Sequence, residues 1–248
     1  ATIHLKLDAG MHRLGFEEED LDLLIRLVKE NPALKVASIF SHLAGADESE
    51  DDKFSKEQAQ RFKQSADKIS QSLGYQPLYH ILNSPGILRL PEYQFDMVRL
   101  GIGLYGIDPT SGKVEGLKPV PTLKTIISQI KHIKTGESIG YGRKGKAEKP
   151  LTIATIAIGY ADGFSRAFSR GAGHVLIKGH LAGVIGNVCM DMTMVDITGI
   201  AAQEGDEVIV FGEQLPIQQL AAWINTIPYE ILTSTSERVK RVFVAESI

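Results

Sequence analysis

Between residues 1 and 110, short apolar strand patterns alternate with helical ones, and that alternation constrains the fold more than any other feature. Ile3 to Asp8 reads as a strand. Phe16-Glu17-Glu18-Glu19-Asp20 then places acids at the start of a helix whose apolar positions are Leu21, Leu24, Ile25 and Val28. Asn31-Pro32 ends that helix, because the residue before a proline avoids helical geometry. Val36 to His42 reads as a second strand. A polar loop, Asp47 to Lys53, leads into a long helix with Phe62, Ala66, Ile69 and Leu73 on one face, closed by Gly74. Tyr79 to Leu82 and Met97 to Leu100 are the third and fourth predicted strands, and strands separated by helices form a parallel sheet. Four such units make half of an eight-unit α/β barrel, a fold whose functional groups gather at the C-terminal strand ends. Here those ends carry Lys6, Asp8 and Arg13, then His42, then Asn83 and Ser84, then Arg99.

Arg99 interrupts an apolar strand, and a buried guanidinium without an acceptor or anionic neighbour is severely destabilising. Gly101, Gly103 and Gly106 follow it, which allows close approach to the backbone and exposes its N–H groups. Two readings stand at this point. The stretch is either a seat for a flat heterocycle carrying a phosphate or a core strand whose arginine reaches the rim.

After Pro119-Val120-Pro121 the pattern changes to short strands: Thr125 to Ile133, Leu151 to Ile158, His174 to Ile177, Leu181 to Ile185, Met192 to Ile197 and Glu207 to Phe211. With one helix, Ile217 to Ile224, and a final strand pair, this predicts an all-β domain over 119–248 behind a partial barrel over 1–118. A hydrophobic share of 43% in 248 residues suffices for packed cores. The net charge of -3 and the dispersed lysines and arginines argue against nucleic acid and for a small-molecule ligand. One cysteine, Cys189, excludes an internal disulfide and fits a reducing, cytoplasmic setting. No apolar run approaches the roughly 18–20 residues that span a bilayer, so no membrane association is expected. The opening Ala1-Thr2-Ile3-His4-Leu5-Lys6-Leu7 alternates like a strand from its second residue, without a leading methionine, so further sequence is expected upstream.

Lys6-Leu7-Asp8-Ala9-Gly10-Met11-His12-Arg13-Leu14-Gly15, Ser41-His42-Leu43-Ala44, Asn83-Ser84, Val98-Arg99-Leu100-Gly101-Ile102, Ser138-Ile139-Gly140-Tyr141-Gly142, Ile158-Gly159-Tyr160-Ala161-Asp162-Gly163 and Cys189-Met190-Asp191-Met192 occur in that order. Together they closely resemble the signatures of the alanine racemases. The resemblance implies a pyridoxal 5'-phosphate (PLP) enzyme with a (β/α)8 barrel, a C-terminal β domain and a homodimer with shared active sites. It also implies interconversion of L- and D-alanine for bacterial cell-wall peptidoglycan. Racemisation needs a base on each face of Cα. In the family one is the lysine that holds PLP as a Schiff base, and the other is a tyrosine that matches Tyr141. By resemblance Tyr141 reaches His42, which contacts Arg99, and Arg99 faces the pyridine nitrogen. A guanidinium only donates, so that nitrogen stays unprotonated, a weaker electron sink that suits racemisation over decarboxylation.

The same resemblance assigns Arg13 to the cofactor's phenolic oxygen and the substrate carboxylate. It matches Lys6 to a lysine that in some members is carbamylated and holds that arginine. Ser84, the backbone of Gly101 and Ile102, and Tyr229 form the phosphate cradle, with Asn83 as neighbour. The Met190 N–H binds the substrate carboxylate beside Asp191, and Tyr160, Asp47 and Arg166 line the access channel; no metal is implied. Read without the family, Tyr141 is a turn aromatic, Arg13 a rim ion pair with Asp8, Ser84 a turn or cap residue. Met190 and Cys189 are then core, and Tyr160, Asp47 and Arg166 solvated surface.

Two departures from the family pattern stand out. Its PLP lysine lies in a lysine-alanine-asparagine-alanine-tyrosine-glycine run that does not occur here, and Asn187 stands where an arginine is usual. The sequence therefore reads as the C-terminal two-thirds of a racemase, inactive alone. Its bare strand edges at 3–8 and 97–102 are expected to be covered by another copy or by rearranged segments. The rival reading is a non-catalytic racemase-like module, or one domain of a fusion with a cell-wall ligase.

Overall fold

A parallel ladder frames the first of two units, Ala1–Leu117, in the computed structural model, which describes residues 1–108, 110 and 116–244. Strands β1 (Thr2–Lys6), β2 (Lys35–Phe40) and β3 (Leu78–His80) lie in that order, and helices α1 (Leu21–Glu30) and α2 (Asp52–Leu73) connect them. Leu5, Ile39 and Tyr79 are in register and buried with Leu21, Leu24, Val28, Phe62, Ala66 and Ile69, which makes one face the core. A register shift in β2 pairs Ile3 with Val36 but His4 with Ser38, so one extra residue keeps Val36 with the apolar set while Ser38 joins the other face. That second face carries His4, Lys6, Ser38, Phe40 and His80. Gly74 ends α2 at φ +78, as its position after the apolar stripe predicted.

The expected fourth strand is corrected. Residues 96–99 run beside β3 and the residues just after it through two main-chain bonds, Asp96 N to Tyr79 O and Arg99 N to Leu82 O, without forming a ladder. The reason is local. The Asp96 carboxylate accepts from Tyr79 N (2.8 Å), so a side chain occupies the rung that a carbonyl would fill. A short helix that was not predicted, α3 (Ser84–Arg89), follows β3, because Asn83 caps it and Pro85 suits its first turn. The outer edge of β1 is partly covered from within the chain. Phe16 N donates to Lys6 O (2.9 Å) and Asp8 N to Phe16 O (2.8 Å). Gly15 permits this return, since a Cβ there would stand 2.6 Å from Asp8 N.

In the second unit, Lys118–Ile248, the strands are β4 (Leu123–Ile133), β5 (Ser138–Ile139), β6 (Gly145–Lys146), β7 (Leu151–Ile156), β8 (His174–Ile177), β9 (His180–Gly183), β10 (Thr193–Asp196) and β11 (Glu207–Phe211). Six form an antiparallel sheet in the order β10-β7-β4-β11-β8-β9, and a Val184–Val195 bridge joins its two ends into a barrel-like ring. Lys178 and Gly179 both adopt positive φ, the backbone a two-residue hairpin turn requires. Two helices follow, α4 (Ile217–Trp223) and α5 (Pro228–Ser234). The predicted final strand pair is absent from the described residues. Pro228 starts a helix there, and beyond it the carbonyls of Thr235, Ser236 and Val239 accept from Arg241. Among the described residues no helix is long and apolar enough to cross a membrane.

Candidate functional site

Buried polar side chains fix the strand ends of the first unit before any ligand is considered. Ser41 Oγ donates to Leu7 O (2.7 Å), tying β2 to β1. Gln58, wholly buried on α2, accepts from Ala44 N (3.1 Å) and donates to His42 O (2.8 Å), which holds the loop carrying His42. Arg99 then spans the ends of β2 and β3. Its Nη1 donates to His80 Nδ1 (2.6 Å), and its Nη2 to Ser41 O (2.7 Å), Ile81 O (3.1 Å) and His42 Nδ1 (3.2 Å). The guanidinium also lies 5.6 Å from the Phe40 ring, which stacks on His80. Among the described residues nothing accepts from the Nε–H of Arg99, so that donor remains available to a ligand.

Burial, reinforced by the charges of Arg99, Arg13 and Lys6, holds His42 below the ordinary histidine value. These four side chains therefore share one electrostatic site. Burial, with Arg99 and His4 adding to it, pushes His80 from 6.5 down to about 4. An unfolded chain takes up a proton at His80 between those values that the folded chain refuses, so stability falls as pH drops from 6.5 to about 4. The full displacement corresponds to roughly 3 kcal/mol. A His80→Gln variant is expected to lose that part of the slope, measured by urea unfolding at pH ~7 and ~4.5 with far-ultraviolet circular dichroism. An unchanged slope would count against a neutral, buried His80.

At the end of β3 a second cluster presents donors. Ser84 Oγ accepts from Gly101 N (2.9 Å) and Gly103 N (3.3 Å), which leaves its own proton to donate outward. The Ile102 N–H has no acceptor among the described residues. The Asn83 carboxamide oxygen is taken by Gly86 N (3.1 Å), a capping role. Asp8 makes no ion pair with Arg13 among the described residues. Burial alone would raise the Asp8 carboxyl, but N–H groups of Gly10, His12 and Met11 donate to Oδ1 and hold it low. Arg13 is exposed, Lys6 half-buried on β1, and the Asp47 carbonyl accepts from Arg89 (3.2 Å).

The second unit carries the other residues singled out from sequence. Tyr141, 71% exposed, rides on a turn with positive φ at Gly140, Gly142 and Arg143, and Asn187 Nδ2 donates to its carbonyl (3.1 Å). The residue that departs from the family pattern thus tethers the tyrosine's backbone. Tyr160 N donates to Cys189 O and Ala161 N to Met190 O (both 3.0 Å), which joins two turns. Arg238 clamps them from outside, with Nη2 donating to Asp191 Oδ1 (2.6 Å) and Nε 3.5 Å from Asp162 Oδ1. The Met190 N–H is left without an acceptor among the described residues. Burial raises the Cys189 thiol, only partly offset by Arg166, and its Sγ donates to Asn187 O (3.6 Å). Tyr160 and Arg166 are exposed, and Tyr229 stands in the first turn of α5. Sequence reasoning missed His80, Gln58 and Arg238. A histidine in an apolar strand was the one available signal for His80.

The family description "Alanine racemase, N-terminal domain" matches residues 1–109 and "Alanine racemase, C-terminal domain" residues 120–243. The chain is 38% identical to the alanine racemase of Clostridium tetani over 257 aligned residues, 99% of this chain and 66% of that protein. The solved alanine racemase of Streptomyces coelicolor A3(2) superposes with a TM-score of 0.93 at 34% identity, covering 99% of this chain and 67% of that one. The Bartonella henselae alanine racemase, solved with covalently bound pyridoxal phosphate, gives 0.88 at 33% identity, covering 98% and 66%. The chain therefore spans about two thirds of the length of the relatives it matches. The shared architecture is the last part of a (β/α)8 barrel followed by a C-terminal β domain.

Proposed function

The chain belongs to the alanine racemase family, and on that premise we propose that its residues serve a PLP-dependent interconversion of L- and D-alanine for bacterial cell-wall synthesis. The observation that carries the reading is Arg99. Its Nη groups are held by the His80 and His42 rings and three carbonyls, which leaves the Nε–H as the donor for a ring nitrogen. The rest of the donor set fits the same group. The Ser84 hydroxyl and Ile102 N–H suit its phosphate; the Gly101 N–H is already given to Ser84 Oγ and acts by aiming that hydroxyl, Asn83 shapes the cradle through the α3 cap, and Tyr229 is assigned to it by the family resemblance alone.

When bound, PLP delocalises the electron pair left at the substrate's Cα. Arg99 cannot accept a proton, so it holds the pyridine nitrogen unprotonated. Arg13 is assigned to the substrate carboxylate and the cofactor's phenolic oxygen, with Lys6 supporting it. The Met190 N–H, presented by the turn that Arg238 clamps through Asp191, takes the substrate carboxylate as well. The Tyr141 phenol moves the proton on one face of Cα, and Tyr160, Asp47 and Arg166 flank the approach. We infer a homodimer in which Tyr141 and Met190 of one copy serve the Arg99 group of the other, a division over residues 1–118 and 119–248, and a cytoplasmic setting.

The lysine that would act on the opposite face does not occur here in its family run. Purified chain of these 248 residues is therefore expected to give no detectable alanine racemisation when supplied with PLP. Joined to the N-terminal third of a relative, which supplies that lysine, it is expected to turn over. Activity of the chain alone would overturn the two-base assignment, and inactivity of the joined protein with PLP bound would favour the non-catalytic module.

A further inference from the structure

We propose that Ser38, two strands away from Arg99, is a positioning residue that fixes the proton on His80 and thereby the aim of the Arg99 Nε–H. The proposal gives a wider role to the site under Proposed function and rests on that reading only for its effect on cofactor binding.

The argument is one of donors and acceptors. Arg99 Nη1 stands 2.6 Å from His80 Nδ1, and a guanidinium has no lone pair to offer. His80 Nδ1 is therefore the acceptor, and the single proton of the neutral ring sits on Nε2. That proton needs an acceptor, because His80 is 5% exposed. Ser38 Oγ, 3.2 Å away and 1% exposed, is the group in place to take it. Ser38 Oγ in turn lies 2.7 Å from Nδ1 of His4, which is exposed. If His4 Nδ1 is bare, the serine hydroxyl donates to it; if His4 carries a proton there, the serine oxygen accepts from both rings. In either state Ser38 still accepts from His80, so the His80 tautomer does not depend on His4.

The register shift in β2 is what puts Ser38 on this face. In a regular strand with unbroken alternation, position 38 would share the core-facing side with Val36. The bulge thus has a use beyond bending the strand. With Ser38 removed, the buried Nε2–H is unpaired, and the cost of that orphan donor works against the hold of Arg99 on Nδ1; to the extent that the proton moves to Nδ1, the ring opposes Arg99 Nη1 donor to donor. Arg99 then has to rotate, and its Nε–H loses its direction.

The test uses the full 248-residue chain with 15N-labelled histidine, read by imidazole nitrogen NMR. In the parent, His80 is expected to show a bare Nδ1 and a protonated Nε2; the opposite pattern overturns the proposal without any variant. In Ser38→Ala the signals are expected to shift toward the Nδ1–H form, and Ser38→Thr, which keeps the hydroxyl, is expected to restore them. Pyridoxamine 5'-phosphate, which offers the same ring nitrogen and phosphate but forms no Schiff base, serves as binding probe. Its affinity is expected to fall about tenfold in Ser38→Ala and to recover in Ser38→Thr. A parental tautomer and affinity in a folded Ser38→Ala protein would sink the idea. Failure of the parent itself to bind the probe would instead count against the cofactor reading, with the tautomer result still deciding the role of Ser38.

Discussion

Replacing Tyr141 with phenylalanine is expected to cut racemisation by about 10²–10⁴-fold in the chain joined to a lysine-bearing N-terminal third, the range set by loss of one positioned acid-base group. The substitution isolates chemistry from folding for a structural reason. Tyr141 is 71% exposed, and what anchors its turn is the backbone carbonyl held by Asn187, not the phenol. Loss of the hydroxyl therefore leaves the turn in place. Trp223, the chain's single tryptophan, lies in the same unit against His174 and serves as a built-in fold monitor whose emission and melting should not change. Exchange of the Cα proton with deuterated water separates the two faces. One enantiomer should still wash in deuterium through the surviving base while conversion to the other stops. Turnover within a factor of a few of the parent, or equal loss of exchange from both enantiomers, would remove Tyr141 from the mechanism.

A large stability effect is expected at Gly159. Its φ is -146, so an L-residue has no conformational objection to the position. The obstacle is contact. A Cβ would stand 2.3 Å from Met190 O and 2.4 Å from Cys189 O, both main-chain atoms that cannot swing aside. Gly159→Ala must therefore part the two turns that Tyr160 N and Ala161 N now join, at a cost of about 3 kcal/mol. For a unit of this size that is roughly a 10 °C fall in melting temperature by Trp223 fluorescence. The same separation moves the Met190 N–H, so KM for alanine in the joined enzyme should rise more than kcat falls. A melting temperature within a degree or two of the parent would show that the turns relax at little cost.

The chain's alternation of strand and helix patterns was legible because local periodicity and breakers coincide with real elements. Asn31-Pro32, Gly74 and Lys178-Gly179 each stop or turn the backbone where the residue types require. What escaped was set by side chains reaching across the fold. The Asp96 carboxylate replaces a ladder carbonyl and so dissolves the regular fourth strand. The terminal Arg238-Val239-Lys240-Arg241-Val242-Phe243-Val244 stretch has strand-like composition but spends its arginines on turns and carboxylates. For the site, the strand-end residues Lys6, Arg13, His42, Ser84 and Arg99 could be picked out because barrel geometry gathers such ends. Ser38 could not, since which face a residue takes after a bulge is invisible until the register is known.

Phe16 sets a rule for anything that tries to extend the parallel sheet. By standing on the rung beside Lys6 and Asp8, it leaves an approaching extended segment only the stub of β1 near Thr2 and His4 as a template. A neighbour must stop short of that level or evict a ring already hydrogen-bonded through its own backbone. Edge-to-edge growth, the hazard of a bare parallel sheet, is thereby restricted at the C-terminal end of β1.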